Sequence, residues 1–144
     1  MERYAVTTGT LKARTLAASI GCAPGQVYDF ISDPRNLPRW SFFGSVTKSG
    51  DQWVVDTSDG PVGFRFVEAN ELGVLDHYVK LGSGVEIYVP MRVILNGEGS
   101  EVLFTLFQVP DMSDEAFAED AKQVELDLAT LKVVLEDAAA GNRI

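Results

Sequence analysis

Turn-forming residues recur at short, even intervals through the middle of this chain, and one long amphipathic segment follows them. The turn signals combine glycine with asparagine, aspartate, serine or proline, and they stand at 49–50, 59–61, 70–73, 82–84 and 96–99. They separate six runs typical of strands: 40–48, 51–58, 61–69, 74–81, 85–95 and 101–109. Connections this short make consecutive strands antiparallel neighbours, so the pattern predicts a meander.

The segment before the meander predicts one strand and two short helices. Residues 10–20 are typical of a strand, and Pro24 suits the first position of a helix, where its missing N–H costs nothing. The apolar residues of this helix share one face: Val27, Phe30 and Ile31. Pro34 ends it, because the residue before a proline is pushed out of the helical region. A second helix through 35–37 is expected to end before Pro38.

The last segment predicts one long helix. Ser113 is a favourable N-cap, and the apolar residues that follow form one continuous stripe. The stripe is Phe117, Ala121, Val124, Leu128, Leu131 and Leu135. A coiled coil would use the same stripe, but a lone helix after a large sheet favours packing across that sheet. We therefore expect an α+β fold in a single domain over 1–144, with 1–9 as a loose lead-in.

Composition limits the function classes. The formal net charge of −9 at pH 7 opposes binding to nucleic acid or to an anionic membrane surface. Cys22 is the only cysteine and His77 the only histidine, which excludes an internal disulfide and multi-cysteine or multi-histidine metal sites. No apolar run approaches the ~20 residues that a membrane-spanning helix needs. We expect a cytoplasmic protein without membrane insertion, without a metal and without a cofactor.

Strand alternation divides the side chains between two faces of the sheet. Asp76 and Lys80 are expected in solvent, which turns Leu75, His77, Val79 and Leu81 inward. The strand 85–95 has a wholly apolar face: Val85, Ile87, Val89, Met91, Val93 and Leu95. The inward residues predict a cavity between sheet and helix. Its lining is Trp40, Phe42, Trp53, Val55, Phe64, Phe66, Leu75, His77, Val79, Ile87, Val89, Met91, Phe104, Leu106, Gln108, Phe117, Val124 and Leu128. Ordinary core packing would place the same aromatic residues inside.

A few polar groups fall on this apolar inner face: His77, Gln108 and, less clearly, Thr57 and Glu68. His77 has three interpretations: a core histidine bonded to backbone, a pocket hydrogen-bonding group or general base, or an outward-facing side chain. Asp76 points to the opposite face of a regular strand and cannot form a dyad with it. The chain has no phosphate-binding loop, dinucleotide fingerprint or Gly-x-Ser-x-Gly elbow, so any catalysis would depend on His77, carboxylates and tyrosines.

One motif covers the two short helices: Ala23-Pro24-x-x-Val27-Tyr28-Asp29-Phe30-Ile31-Ser32-Asp33-Pro34-x-Asn36-x-Pro38-x-Trp40. This motif resembles the opening of the START-like, or SRPBCC, superfamily. Later segments resemble small bacterial members of the polyketide cyclase/dehydrase-like group: 74–79, 89–93, 104–107 and 112–113. The resemblance extends over 10–136. It implies a helix-grip fold, in which a curved antiparallel sheet of about seven strands wraps around the C-terminal helix and encloses a cavity. No catalytic motif transfers with it, since this fold serves many activities.

Three functions remain open at this point. The leading one is the binding of a small hydrophobic or aromatic molecule in the cavity. The second is an enzyme, a cyclase, dehydratase or isomerase, in which His77 would move a proton while aromatic side chains hold the substrate. The third is a chaperone-activator-like module that binds a protein through an exposed apolar patch. The residues do not decide between a monomer and a homodimer.

Overall fold

The structure, a computed structural model, describes residues 9–141, so most of the expected lead-in over 1–9 lies outside the described residues. The strands are β1 (Ala13–Ile20), β2 (Val46–Ser49), β3 (Gln52–Thr57), β4 (Gly60–Phe66), β5 (His77–Lys80), β6 (Glu86–Val89), β7 (Met91–Asn96) and β8 (Gly99–Phe107). The helices are α1 (Pro24–Ile31), α2 (Leu37–Trp40) and α3 (Asp114–Ala139). None of the helices within 9–141 is long and apolar enough to cross a membrane.

The eight strands of the described range 9–141 form two antiparallel sheets, and α3 packs on the sheet structure in an α+β helix-grip arrangement. One sheet has the order β1-β8-β7 and the other has the order β2-β3-β4-β5-β6. The expected strand 85–95 is divided at Pro90, so eight strands replace the predicted seven. Proline has no N–H for a ladder, and the Pro90 carbonyl accepts a hydrogen bond from Thr105 of β8 at 3.0 Å. The chain therefore leaves β5 at this point and continues beside β8.

The second helix differs from its prediction. A short 3-10 helix covers Pro34–Asn36, and Pro38 lies in the first turn of α2 instead of ending a helix. Proline is tolerated there because the first turn of a helix has no internal partner for its N–H. Trp40 therefore belongs to α2, and the first strand of the larger sheet begins only at Val46.

The hydrophobic core lies between the sheets and the predicted stripe of α3. All six stripe residues are buried: Phe117, Ala121, Val124, Leu128, Leu131 and Leu135. Ser113 caps the helix, because its side chain accepts a hydrogen bond from the Ala116 N–H at 3.0 Å. The stripe packs against core residues from β1, β7 and β8, which include Leu16, Ile20, Val93 and Val102. The prediction of α3 from its apolar spacing is confirmed.

Asp76, expected in solvent, is buried where the two sheets meet. The strand 74–81 is regular only from His77 onward, so simple alternation does not apply to Asp76. Its carboxylate accepts hydrogen bonds from the Met91 N–H at 2.9 Å, the Tyr88 hydroxyl at 2.9 Å and Arg92 at 2.8 Å. One carboxylate thus holds residues on both sides of Pro90. Burial opposes ionisation, but these hydrogen bonds and the Arg92 charge outweigh it and lower the pKa of Asp76.

Replacing Asp76 by asparagine should destabilise the fold. Asp76→Asn keeps the size of the side chain but loses its charge and one acceptor, which should cost about 1.5–3 kcal/mol in urea unfolding near neutral pH. Since the pKa of Asp76 is lowered in the folded state, the difference should shrink as the pH falls below the ordinary aspartate value of about 4.

Asp51→Asn is the matched control for this measurement, because Asp51 is exposed in the turn between β2 and β3. It should change the free energy of unfolding by less than about 0.5 kcal/mol. Equal changes in the free energy of unfolding for the two substitutions would show that Asp76 does not stabilise the sheet junction.

Candidate functional site

His77 is the first residue of β5 and lies inside the molecule, with only 5% of its surface exposed. Its Cα is paired with Phe66 of β4 on one side and Val89 of β6 on the other. Its Nδ1 lies 3.0 Å from the Leu75 carbonyl oxygen. Because a carbonyl only accepts, Nδ1 carries the proton and Nε2 of the neutral ring is an acceptor. Within 9–141, Nε2 has no hydrogen-bond partner.

Three phenylalanine rings surround this imidazole. The Phe64 ring stacks on it at a centroid distance of 5.0 Å, and the Phe66 and Phe104 rings meet it edge-on at 5.5 and 5.8 Å. Phe64 and Phe66 belong to β4 of the larger sheet, whereas Phe104 belongs to β8 of the smaller one. The histidine is therefore enclosed by apolar rings from both sheets.

The aromatic surroundings keep His77 neutral. Burial lowers the pKa of His77 from 6.5 to about 4, although the hydrogen bond to Leu75 and the charge of Asp76 act in the opposite direction. The Asp76 carboxylate is bound to Met91, Tyr88 and Arg92 and does not contact the imidazole. At physiological pH the site thus offers one unpaired neutral acceptor in an apolar environment.

Most predicted lining residues lie inside or at the border of the core. The buried ones are Trp40, Val55, Phe64, Leu75, His77, Val89, Met91, Phe117, Val124 and Leu128. The half-buried ones are Trp53, Phe66, Val79, Ile87, Phe104, Leu106 and Gln108. Phe42 is 53% exposed and does not face the interior, because it lies in the irregular segment between α2 and β2, where strand alternation does not apply.

Three other expected inward residues are exposed: Leu81, Val85 and Leu95. They lie at or beyond strand ends, where chain turns replace the cover of a neighbouring strand. The remaining polar candidates have local partners or face solvent. The Gln108 amide donates to the Met112 carbonyl and to Asp114, both at 2.9 Å, which ties β8 to the start of α3. Thr57 donates to the Gly60 carbonyl in a turn, and Glu68 is exposed.

Three interior polar groups were not indicated in the sequence analysis: the Trp40 indole N–H, the Asp127 carboxylate and the Ser100 hydroxyl, which donates to the Cys22 carbonyl at 2.6 Å. Trp40 is 5% exposed, and its indole Nε1 is buried without a hydrogen-bond partner within 9–141. Asp127 of α3 is also buried, and burial raises its pKa against the opposing hydrogen bonds from Gln123 and the Phe42 backbone. The spacing of Asp127 three residues after Val124 indicates this position on the edge of the buried stripe.

Two concave spaces border these elements. A small cavity of about 160 Å³ is lined by Tyr28, Ser32, Phe66, Val67, Ala69, Val74 and Leu75. Phe66 and Leu75 also contact His77, through the edge-on ring and the carbonyl bond. A larger open groove of about 560 Å³ lies between β1 and α3, and Leu128 is the only predicted lining residue that it includes.

Comparison with known proteins identifies the fold. Neither a protein-family model nor a curated protein sequence matches this chain. XoxI from Bacillus cereus superimposes with a TM-score of 0.72 at 19% identity, over 90% of this chain and 99% of XoxI. The Aha1 dimer from Colwellia psychrerythraea gives a TM-score of 0.72 at 14% identity, over 88% of this chain and 97% of that chain.

DynU16, from the dynemicin biosynthetic locus, gives a TM-score of 0.70 at 19% identity. The match covers 88% of this chain and 48% of DynU16, so this chain corresponds to about half of that protein. The helix-grip fold is shared by all three structures. At such low identities the likeness concerns the fold alone, and function has to be argued from the site.

The His77 imidazole should stay neutral in NMR spectra recorded from about pH 5 to 8, because burial lowers its pKa to about 4. As the only histidine, it gives an unambiguous ring signal. The unfolded chain binds a proton more readily, so acid should weaken the fold by up to about 1.4 kcal/mol per pH unit between 6.5 and about 4. His77→Phe should remove this contribution. A titration midpoint near 6.5 would show that the ring is solvated.

Proposed function

We propose that this chain binds a small hydrophobic or aromatic molecule in the interior between the sheets and α3, with the polar group of the molecule placed against His77. The observation that carries the proposal is the neutral imidazole of His77, which lies inside a ring of phenylalanines and whose Nε2 bonds to no residue within 9–141 and is not among the fully buried polar atoms. The Nε2 of a neutral imidazole is an acceptor, and a ligand that supplies a hydrogen-bond donor would bond to it in surroundings that are otherwise apolar.

The surroundings define the ligand further. The rings of Phe64, Phe66 and Phe104 favour an aromatic or otherwise flat apolar body. A cavity of about 160 Å³ shares Phe66 and Leu75 with the surroundings of His77, although His77 itself does not line it, and it has the size that holds one benzene-sized ring. The preferred ligand is therefore a neutral single-ring molecule with a hydroxyl group, such as a phenol.

The proposal does not extend to proton transfer. A base with a pKa of about 4 accepts protons weakly at neutral pH, and the group that orients the His77 ring is the backbone carbonyl of Leu75. The cyclase, dehydratase and isomerase interpretations need a stronger base in the same place. The geometry of His77 supports a hydrogen-bond acceptor for a bound ligand.

Phenol should bind more tightly than toluene, which has the same ring and similar volume but no donor. One neutral hydrogen bond to His77 Nε2 is worth about 0.5–1.5 kcal/mol, so the dissociation constants should differ by about two- to tenfold. Titration of the protein with each compound, followed by the NMR signals of the His77 ring, measures both dissociation constants. In His77→Phe the preference for phenol should disappear while toluene still binds. Equal affinities in the unsubstituted chain would contradict the role of Nε2.

A bulky side chain opposite His77 should close the site. Val89 is buried and is paired with His77 across β5 and β6, so Val89→Trp places an indole beside the imidazole. Phenol and toluene should then both bind too weakly to be measured. Val133→Trp on the exposed face of α3 is the matched control and should bind normally. Circular dichroism of each variant checks that it is folded, and uptake of phenol by a folded Val89→Trp variant would place the site elsewhere.

A further inference from the structure

The groove between β1 and α3 runs along the free edge of a strand. Among residues 9–141, β1 is paired on one side only, in the order β1-β8-β7. The Lys12 carbonyl accepts a hydrogen bond from the Gln108 N–H at 2.8 Å, and Lys12 and Gln108 continue the register of β1 with β8. Backbone groups alternate in direction along an antiparallel strand. The even-numbered residues of β1 therefore bond to β8, and the odd-numbered ones point away from it.

The outward backbone groups belong to Ala13, Thr15, Ala17 and Ser19. One contact confirms the direction, since the ammonium of Lys132 on α3 donates to the Ser19 carbonyl at 2.7 Å. Next along the chain, the Gly21 N–H donates to Glu136 of α3 at 2.8 Å. Helix α3 thus satisfies the edge only from the Ser19 carbonyl onward. The N–H and C=O of Thr15 and Ala17, and the N–H of Ser19, have no partner among the residues that the structure describes.

The walls of the groove provide an apolar floor and charged ends. The lining residues are Arg14–Ser19 of β1 with Glu125, Leu128, Ala129 and Lys132 of α3. Leu16 and Leu128 are buried and form the floor, while alanines at 18 and 129 leave space above it. Arg14 is exposed and has no ion-pair partner within 9–141, and alternation places its side chain on the same face as Leu16.

We propose that this groove binds an extended peptide from a partner protein, which adds as a strand to the edge of β1. Main-chain hydrogen bonds to Thr15 and Ala17 would hold the peptide, as in other cases of strand addition. Side chains of the peptide that point toward α3 meet Leu16 and Leu128, so small apolar residues fit there. Peptide residues two positions apart share one face of the added strand, so an acidic peptide residue two positions from the apolar one reaches Arg14. This site is separate from the interior site at His77.

The groove fits a peptide better than it fits two other occupants. A hydrocarbon chain would cover the free N–H and C=O groups of β1 without bonding to them, which costs free energy. A second copy of this chain would bring together two molecules of net charge −9, which repel one another. A short peptide with a single acidic residue supplies the missing hydrogen bonds and carries little of that repulsion.

Panning of a random dodecapeptide library displayed on phage tests the proposal. Enriched peptides should share an acidic residue spaced by two from a small apolar one, and they should bind as synthetic peptides in fluorescence polarisation. Ala17→Pro removes one free donor, and because this N–H points away from β8 the β1–β8 ladder is kept. Binding should weaken by at least about fivefold. Ala129→Trp fills the groove from the side of α3 and should weaken peptide binding by a similar factor. This variant replaces Ala17→Pro in the test if Ala17→Pro does not fold.

Two charge variants and amide exchange complete the test. Arg14→Ala should weaken binding by about three- to tenfold, whereas Lys122→Ala, exposed on α3 outside the groove, should change it less than about twofold. In hydrogen exchange followed by NMR, the amides of Thr15 and Ala17 should exchange faster than that of Ala18 and slow on peptide binding.

Four results would overturn the proposal. The library yields no enriched peptide, or the enriched peptides bind Ala17→Pro and Ala129→Trp as tightly as the unsubstituted chain. Alternatively, the protein without peptide forms dimers in which the amides of Thr15 and Ala17 exchange slowly, or dodecanoate slows their exchange and peptides do not. All of these outcomes leave the phenol titration at His77 unaffected, so the two sites are tested independently.

Discussion

The burial of one face of α3 is the constraint on which the rest of this structure depends. Six apolar residues spaced by three and four must leave water together, and the main elements that contact α3 to cover them are β1, β8 and α2. The division at Pro90 lets the chain pass from one sheet to the other, and the carboxylate of Asp76 satisfies the backbone and side-chain donors at that division. The packing of the helix and the hydrogen bonds at the sheet junction therefore stabilise the same fold together.

Two polar side-chain atoms of interior residues have no hydrogen-bond partner within 9–141, and of these only the Trp40 Nε1 is fully buried. The imidazole Nε2 of His77 and the indole Nε1 of Trp40 are an acceptor and a donor, and each is surrounded mainly by apolar atoms. A core built only for stability would place apolar side chains at both positions, since an unpaired buried polar atom destabilises the folded state. Conflicts of this kind between a local site and the stability of the fold are typical of sites that bind a ligand.

Much of the fold could be predicted from the sequence, because its signals are local. The apolar spacing of α3, the Ser113 cap and the glycine-rich turns each act within a few residues, and the structure confirms the α+β class that they indicated. It also confirms the helix-grip arrangement that the family resemblance implied. The errors arose where tertiary contacts override a local rule. Pro38 begins a helix turn, and Asp76 is drawn inward by donors from Met91, Tyr88 and Arg92, which lie 12 to 16 residues later. Strand alternation placed His77 inside, but its ring contacts depend on β8, which is distant in sequence.

The position of His77 between two sheets has a consequence for packing. Its ring touches Phe64 and Phe66 on one sheet and Phe104 on the other, so a single side chain contributes to the cores of both. Because β1 is paired to the strand that carries Phe104, the imidazole, the Phe104 ring and the outer strand of the smaller sheet form one continuous series of contacts. A substitution at His77 therefore removes contacts from two sheets at once, which a substitution in the middle of either sheet would not do.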